Sequence, residues 1–171
     1  MNIRKTMAVG MAVAALLAVA AQADTEAISL SARLHRAQEK FTDYPYSDND
    51  LSYMAAWEVH TDDALLQFGA DFCPKFKSDD APDYAISPEL NLLFKDGVFR
   101  GGGGLLSTYE KSDSDSKWMD LYWQFLLGFS FNLPAKLSLD VYAIYPFKDL
   151  SELGDFTVKS IEYSAGLAYH F

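Results

Sequence analysis

The chain has 171 residues, half of them hydrophobic and 15% aromatic, with a formal net charge of −10. That length suits one domain, and so acidic a chain excludes nucleic-acid binding, because polyanions repel it. Its single cysteine, Cys73, excludes an internal disulfide.

The N-terminal stretch "MNIRKTMAVGMAVAALLAVAAQAD" places Arg4 and Lys5 before an apolar run, Met7 to Ala21, and ends in the small-x-small triplet Ala21-Gln22-Ala23. This pattern predicts a secretory signal peptide over residues 1–23, cut after Ala23, and one mature domain over 24–171. The apolar run is too short to span a bilayer comfortably as a helix, and no Cys follows the cut to carry a lipid anchor. Loss of Arg4 and Lys5 leaves 12 basic residues against 24 acidic ones, a net charge of −12. Beyond the leader no apolar run reaches the ~18 residues of a transmembrane helix.

The mature chain reads as segment after segment with a period of two, the pattern of half-buried strands. In "AISLSARLH", Ile28, Leu30, Ala32 and Leu34 oppose Ser29, Ser31, Arg33 and His35. In "LSYMAAWEVH", Leu51, Tyr53, Ala55, Trp57 and Val59 oppose Ser52, Ala56, Glu58 and His60. "ALLQFGADF" sets Leu66, Phe68, Ala70 and Phe72 against Gln67, Gly69 and Asp71, and "YAISPELNLLF" sets Ile86, Leu90, Leu92 and Phe94 against Ser87, Glu89 and Asn91. The fifth segment, "VFRGGGGLLSTY", carries four glycines that suit close strand approach and leave its phase open. "WMDLYWQFLLGFSF" sets Leu121, Trp123, Phe125, Leu127, Phe129 and Phe131 against Asp120, Tyr122, Gln124, Gly128 and Ser130. "LSLDVYAIYPF" sets Leu137, Leu139, Val141, Ala143 and Tyr145 against Ser138, Asp140 and Tyr142. "SIEYSAGLAYHF" sets Ile161, Tyr163, Ala165, Leu167, Tyr169 and Phe171 against Glu162, Ser164, Gly166 and His170.

Short connections at 61–63, 95–97 and 132–136 alternate with long ones at roughly 36–50, 73–83, 110–117 and 148–157, so long and short loops fall on opposite ends of an up-and-down sheet. The apolar face is expected to meet lipid rather than a bound ligand. Its polar counterpart is Ser, Gly, Gln, Asn and Tyr with isolated charges, which suits a narrow lumen better than a solvated surface. Aromatics gather in two belts near the strand ends, and segments of about 9–12 residues match a tilted transmembrane strand. The expected fold is all-β: an eight-stranded antiparallel up-and-down transmembrane β-barrel after a cleaved signal peptide.

Ser164, Gly166, Tyr169 and Phe171 form a polar-x-Gly-x-x-aromatic-x-aromatic ending on the last segment. It resembles the C-terminal assembly signal of bacterial outer-membrane barrels. Over its mature length the chain resembles the small eight-stranded barrels of the OmpA transmembrane domain and OmpX type. The resemblance implies an outer-membrane location with both termini periplasmic, and outer-membrane lipid and the barrel-assembly machinery as partners. It transfers no catalytic or binding residue.

An eight-stranded barrel has an interior just wide enough for side chains. Arg33 is expected to meet Asp71, Asp120 and Glu162 at one height, and Arg100 to meet Glu89 and Asp140 lower down, forming a structural polar core. His60 and His170 fall near the short-turn mouth. A narrow cation-leaning channel is the alternative, since acids outnumber bases. A lipid A-modifying acyl enzyme would need a Ser, a His and an acid; His35 is the one His near the long loops, with Ser107 or Ser160 as conceivable partners, and it should face the lumen. A secreted lipocalin-like lipid binder is the reading in which the faces are inverted. The loops "EKSDSDSK" and "KFKSDDAPD" lack the spacing of a tight calcium site, so no metal or cofactor is expected. The first long loop offers Phe41, Tyr44 and Tyr46, either to anchor an extracellular partner or to pack over the barrel mouth. The leading expectation is a non-catalytic envelope protein acting through structure or its surface loops.

Overall fold

The computed structural model describes residues 24–38, 44–77, 82–113, 115–149 and 156–171; the predicted signal peptide lies outside them. Eight strands follow in order: β1 (Thr25–Leu34), β2 (Leu51–His60), β3 (Ala64–Cys73), β4 (Tyr84–Asp96), β5 (Phe99–Lys111), β6 (Ser116–Leu133), β7 (Leu137–Phe147) and β8 (Glu162–His170). Each pairs antiparallel with its neighbours in sequence, and β1 pairs with β8, so the sheet closes into a barrel. Closure satisfies every strand edge internally. A 3-10 turn, Val158–Ser160, leads into β8.

The period of two governs the walls. Large apolar side chains such as Ile28, Leu30, Tyr53, Trp57, Phe68, Phe94, Leu127 and Tyr169 stand exposed on the outside, while Ser29, Arg33, Glu58, Gln67, Glu89, Gln124 and Glu162 are buried in the lumen. The Gly-rich β5, whose phase the sequence leaves open, turns Arg100, Leu106, Thr108 and Glu110 inward.

Two departures from regular alternation matter. The third long connection shrinks to residues 112–115, because β5 and β6 continue as a paired hairpin through Lys111 and Ser116. Within it the register slips. Ser107 faces Leu121, but Tyr109 faces Trp118, so Met119 and Asp120 together oppose Thr108. This β-bulge flips the phase of β6 above it. Asp120 is thereby extruded and pairs with Lys148 at 2.6 Å on the exposed rim, instead of joining the lumen.

The lumen also holds an apolar cluster that alternation does not announce: Leu65, Leu93, Leu126 and Ile144, with Tyr142 against it. Register explains it, since Leu65 faces Leu93, Leu93 faces Gly102, Gly102 faces Leu126, and Leu126 faces Ile144.

At the closing seam Gly166 lies against β1, where a Cβ would sit 2.5 Å from the Leu30 carbonyl oxygen. Backbone at a closed seam cannot yield easily, so overpacking there costs about 1–3 kcal/mol. Gly166→Val, refolded in detergent without any assembly factor, is expected to lower the urea midpoint by that amount. An unchanged midpoint would mean the seam relaxes.

Candidate functional site: a polar lumen under a tyrosine lid

Arg33 near the end of β1 projects across the barrel. Its Nε donates to Glu162 Oε2 at 2.7 Å, Nη1 to Glu89 Oε1 at 2.6 Å, and Nη2 to Gln124 Oε1 at 3.1 Å. One guanidinium therefore ties β1 to β8, β4 and β6. All four side chains are buried, and a buried charge is tolerable only when paired and hydrogen-bonded.

From this hub a chain of bonds runs toward the short-turn end. Gln124 Nε2 donates to Glu89 Oε2 and Asn91 Oδ1, both at 2.8 Å, and Asn91 Nδ2 donates to Gln67 Oε1 at 2.9 Å. Gln67 Nε2 donates to Glu58 Oε1 at 2.8 Å, and Glu58 Oε2 lies 3.0 Å from His60 Nε2. Most of these residues share one register line: Glu58 faces Gln67, Gln67 faces Asn91, Asn91 faces Gly104, and Gly104 faces Gln124. Gly104 is the missing rung. A Cβ there would overlap Asn91 Oδ1, so only glycine lets Asn91 and Gln124 meet across β5.

Above Arg33 the first long loop folds into the mouth. Tyr44 Oη donates to Glu162 Oε1 at 2.8 Å, and Tyr46 Oη shares a bond of 2.7 Å with Ser87 Oγ, which lies 2.8 Å from Thr108 Oγ1. Tyr46 also stacks on the His35 ring at 3.6 Å between centroids. Burial first, and the Glu162 carboxylate second, push the Tyr44 hydroxyl well above its ordinary range, so it remains a donor. Phe76, Cys73, Leu106 and Tyr122 complete the lid. Asp50, wholly buried, accepts from the backbone N–H groups of Ser47 and Lys77, stitching the first long loop to the second. Between lid and base lies a cavity of about 20 Å³, room for one water.

Ser52, His35 and Glu162 line up like a nucleophile, base and acid: Ser52 Oγ is 2.7 Å from His35 Nε2, and His35 Nδ1 is 3.1 Å from Glu162 Oε2. Proton accounting decides against that chemistry. Ser52 donates its one proton to Asp71 Oδ2 at 2.6 Å, so it must accept from His35 Nε2, and His35 Nδ1 must donate to Glu162. The ring then holds both protons and cannot act as a base. Ser52 is also fully buried.

The sequence-predicted residues are thus placed as follows. Arg33 meets Glu162 as expected, yet its second carboxylate is Glu89. Asp71 binds Ser52 instead, and Asp120 sits outside on its bulge. Arg100 pairs with neither Glu89 nor Asp140; its Nη1 donates to the carbonyls of Gly97 and Phe99, both at 2.8 Å. Asp140 accepts from Ser138 Oγ at 3.2 Å. Ser107 Oγ donates to the Met119 carbonyl and Ser160 is buried beside Gln38, so neither meets His35. His60 and His170 meet edge to face, 5.0 Å apart, at the short-turn mouth. Tyr44 and Tyr46 are buried rather than exposed, and Phe41 lies outside the described residues. Sequence reasoning missed Ser52 and Gln124 as network members, whose place on the polar face was the only signal, and Asp50, which lies in the first long connection and gave none.

Compared with known families and with curated protein sequences, the chain matches no family and no individual sequence.

Removing one partner of a buried ion pair strands the other, at about 3–5 kcal/mol. Arg33→Met is therefore expected to cost about that much in detergent-refolded protein. The triple change R33M/E89Q/E162Q, which strands no carboxylate there, should recover most of the loss. Equal loss in both, by urea titration, would mean shape rather than charge holds the lumen.

Proposed function

We propose that this chain is an integral outer-membrane barrel of the small eight-stranded kind, long loops outside and both termini periplasmic. It serves envelope structure or presents its loops to a partner, without catalysis and without conducting ions.

One observation carries the reading: the barrel is inside out relative to a soluble protein. Its charges are in the lumen, while Phe94 (67% exposed), Leu30 (64%) and Leu127 (56%) belong to a continuous apolar outer wall. A soluble protein with such a band would aggregate; hydrocarbon makes the same band favourable. Aromatic neighbours occur at two levels. Phe99, Phe129 and Phe131 lie toward the short turns, and Phe72, Tyr84, Tyr109 and Trp118 toward the long loops.

The terminal residues support assembly as an outer-membrane barrel. Ser164 is buried in the lumen, and Tyr169 and Phe171 stand exposed on the outer wall, 49% and 53%, where a recognition factor could read them. Against a channel stand the Arg33 cross-links and the tyrosine lid. Against a lipocalin-like binder stands the polar lumen cross-linked by Arg33, Glu89, Gln124 and Glu162. Against an acyl enzyme stands the doubly protonated His35.

Membranes washed with urea or carbonate should retain the protein, and its gel band in detergent should shift on boiling. Release into the periplasm with no shift would overturn the membrane reading. In planar bilayers the folded protein is expected to show no steady openings; cation-selective openings would overturn the sealed lumen alone.

A further inference from the structure

The outer wall is not uniform. Across β1, β8 and β7 the register aligns small side chains: Ala32 faces Ala165, and Ala165 faces Val141. Ala143, one pleat higher on β7, faces Tyr163, which faces Leu34. They floor an open apolar groove of about 580 Å³, walled by Leu34 and Leu51 on one side and Leu127 and Phe129 on the other. On other parts of the outer wall Trp57, Phe68, Phe94, Trp123 and Phe125 stand exposed.

Above the groove, toward the long loops, lies a second depression of about 340 Å³, lined by Arg36, Asp48, Lys159 and Tyr163 among others. Tyr163 lines both hollows, so they adjoin. Arg36 follows β1 by two residues and Lys159 belongs to the 3-10 turn before β8, which sets two cations over one apolar trough. Neither pairs with a carboxylate among the described residues. Arg36 Nη1 reaches only the neutral Asn49 Oδ1, at 3.2 Å. Asp48, the one acid among the described residues that line the depression, accepts from the Ala37 backbone N–H at 3.0 Å. In a chain of net charge −10, a depression lined, among the described residues, by two cations and one acid is a local reversal of sign.

The geometry points to a docking site for a phosphate-bearing lipid of the leaflet around the long loops. Its phosphate sits between Arg36 and Lys159 and one acyl chain lies in the Ala32–Ala165–Val141 trough. The inference rests on the membrane reading above. Charge complementarity selects the headgroup, since cations complement phosphate. The missing side-chain volume selects the tail, since an acyl chain fills what bulky residues fill elsewhere on the wall.

The test uses the folded chain in detergent, with native mass spectrometry and two probes: diphosphoryl lipid A and the same lipid with its phosphates removed. Wild type should bind the phosphorylated form about ten-fold or more tightly, the worth of a charge-assisted contact. R36E/K159E should lose that preference, and A165W, which fills the trough from outside, should lose binding of both. R36K/K159R should keep most of the preference. Equal binding of the two lipids by wild type overturns the proposal without any variant being needed. Lipid binding undiminished in A165W, or a dimer in place of a lipid adduct, overturns it as well. The boiling shift of each sample separates these outcomes from failure of the membrane reading, which would abolish the shift in wild type too.

Discussion

The fork of Arg33 onto Glu89, Gln124 and Glu162 is the contact on which the rest of the lumen depends. A barrel whose apolar residues face outward has little hydrophobic core to hold its strands together from within. Polar groups must satisfy one another there, or each costs free energy. Arg33 orients Glu162, and Glu162 in turn holds Tyr44 and His35. Arg33 and Gln124 together fix Glu89, from which the polar chain descends to Glu58. Remove the guanidinium and both lid and ladder lose their common anchor.

Seen this way, the acidic composition is divided between two duties. Some acids, Glu58, Asp71, Glu89 and Glu162, are structural and buried, each with a donor. Others, such as Asp48, Asp113 and Asp115, stay on the long-loop rim, where water solvates them. On the proposed reading, the cross-linked lumen leaves the loops and the outer wall as the surfaces on which this protein can meet anything else.

Strand number, closure and the facing of nearly every wall residue were legible in the sequence, because a period of two survives without knowledge of neighbours. What alternation cannot supply is height. Arg33 and Glu162 are 129 residues apart in sequence, and which carboxylate each cation meets depends on stagger around the barrel. Hence Glu89 fell to Arg33 and left Arg100 to the turn carbonyls. Alternation also fails wherever a residue is inserted: one bulge at Thr108 carried Asp120 to the rim. The lid was only half legible, since the sequence offered packing over the mouth beside partner binding and could not choose between them. Tyr44 and Tyr46 lie on an irregular loop with no period, and only the lumen beneath them decides that they turn inward.

That Arg33 lies on the first strand and Glu162 on the last has a consequence for how the barrel is made. On the membrane reading proposed above, the guanidinium and its carboxylates face each other across an open sheet before the seam closes, and hydrocarbon would meet them unneutralised. Partial insertion is therefore the state of highest cost, and closing the ring and discharging its interior become a single event. On that reading the chain has no comfortable halfway house: it would enter the bilayer shut or wait outside.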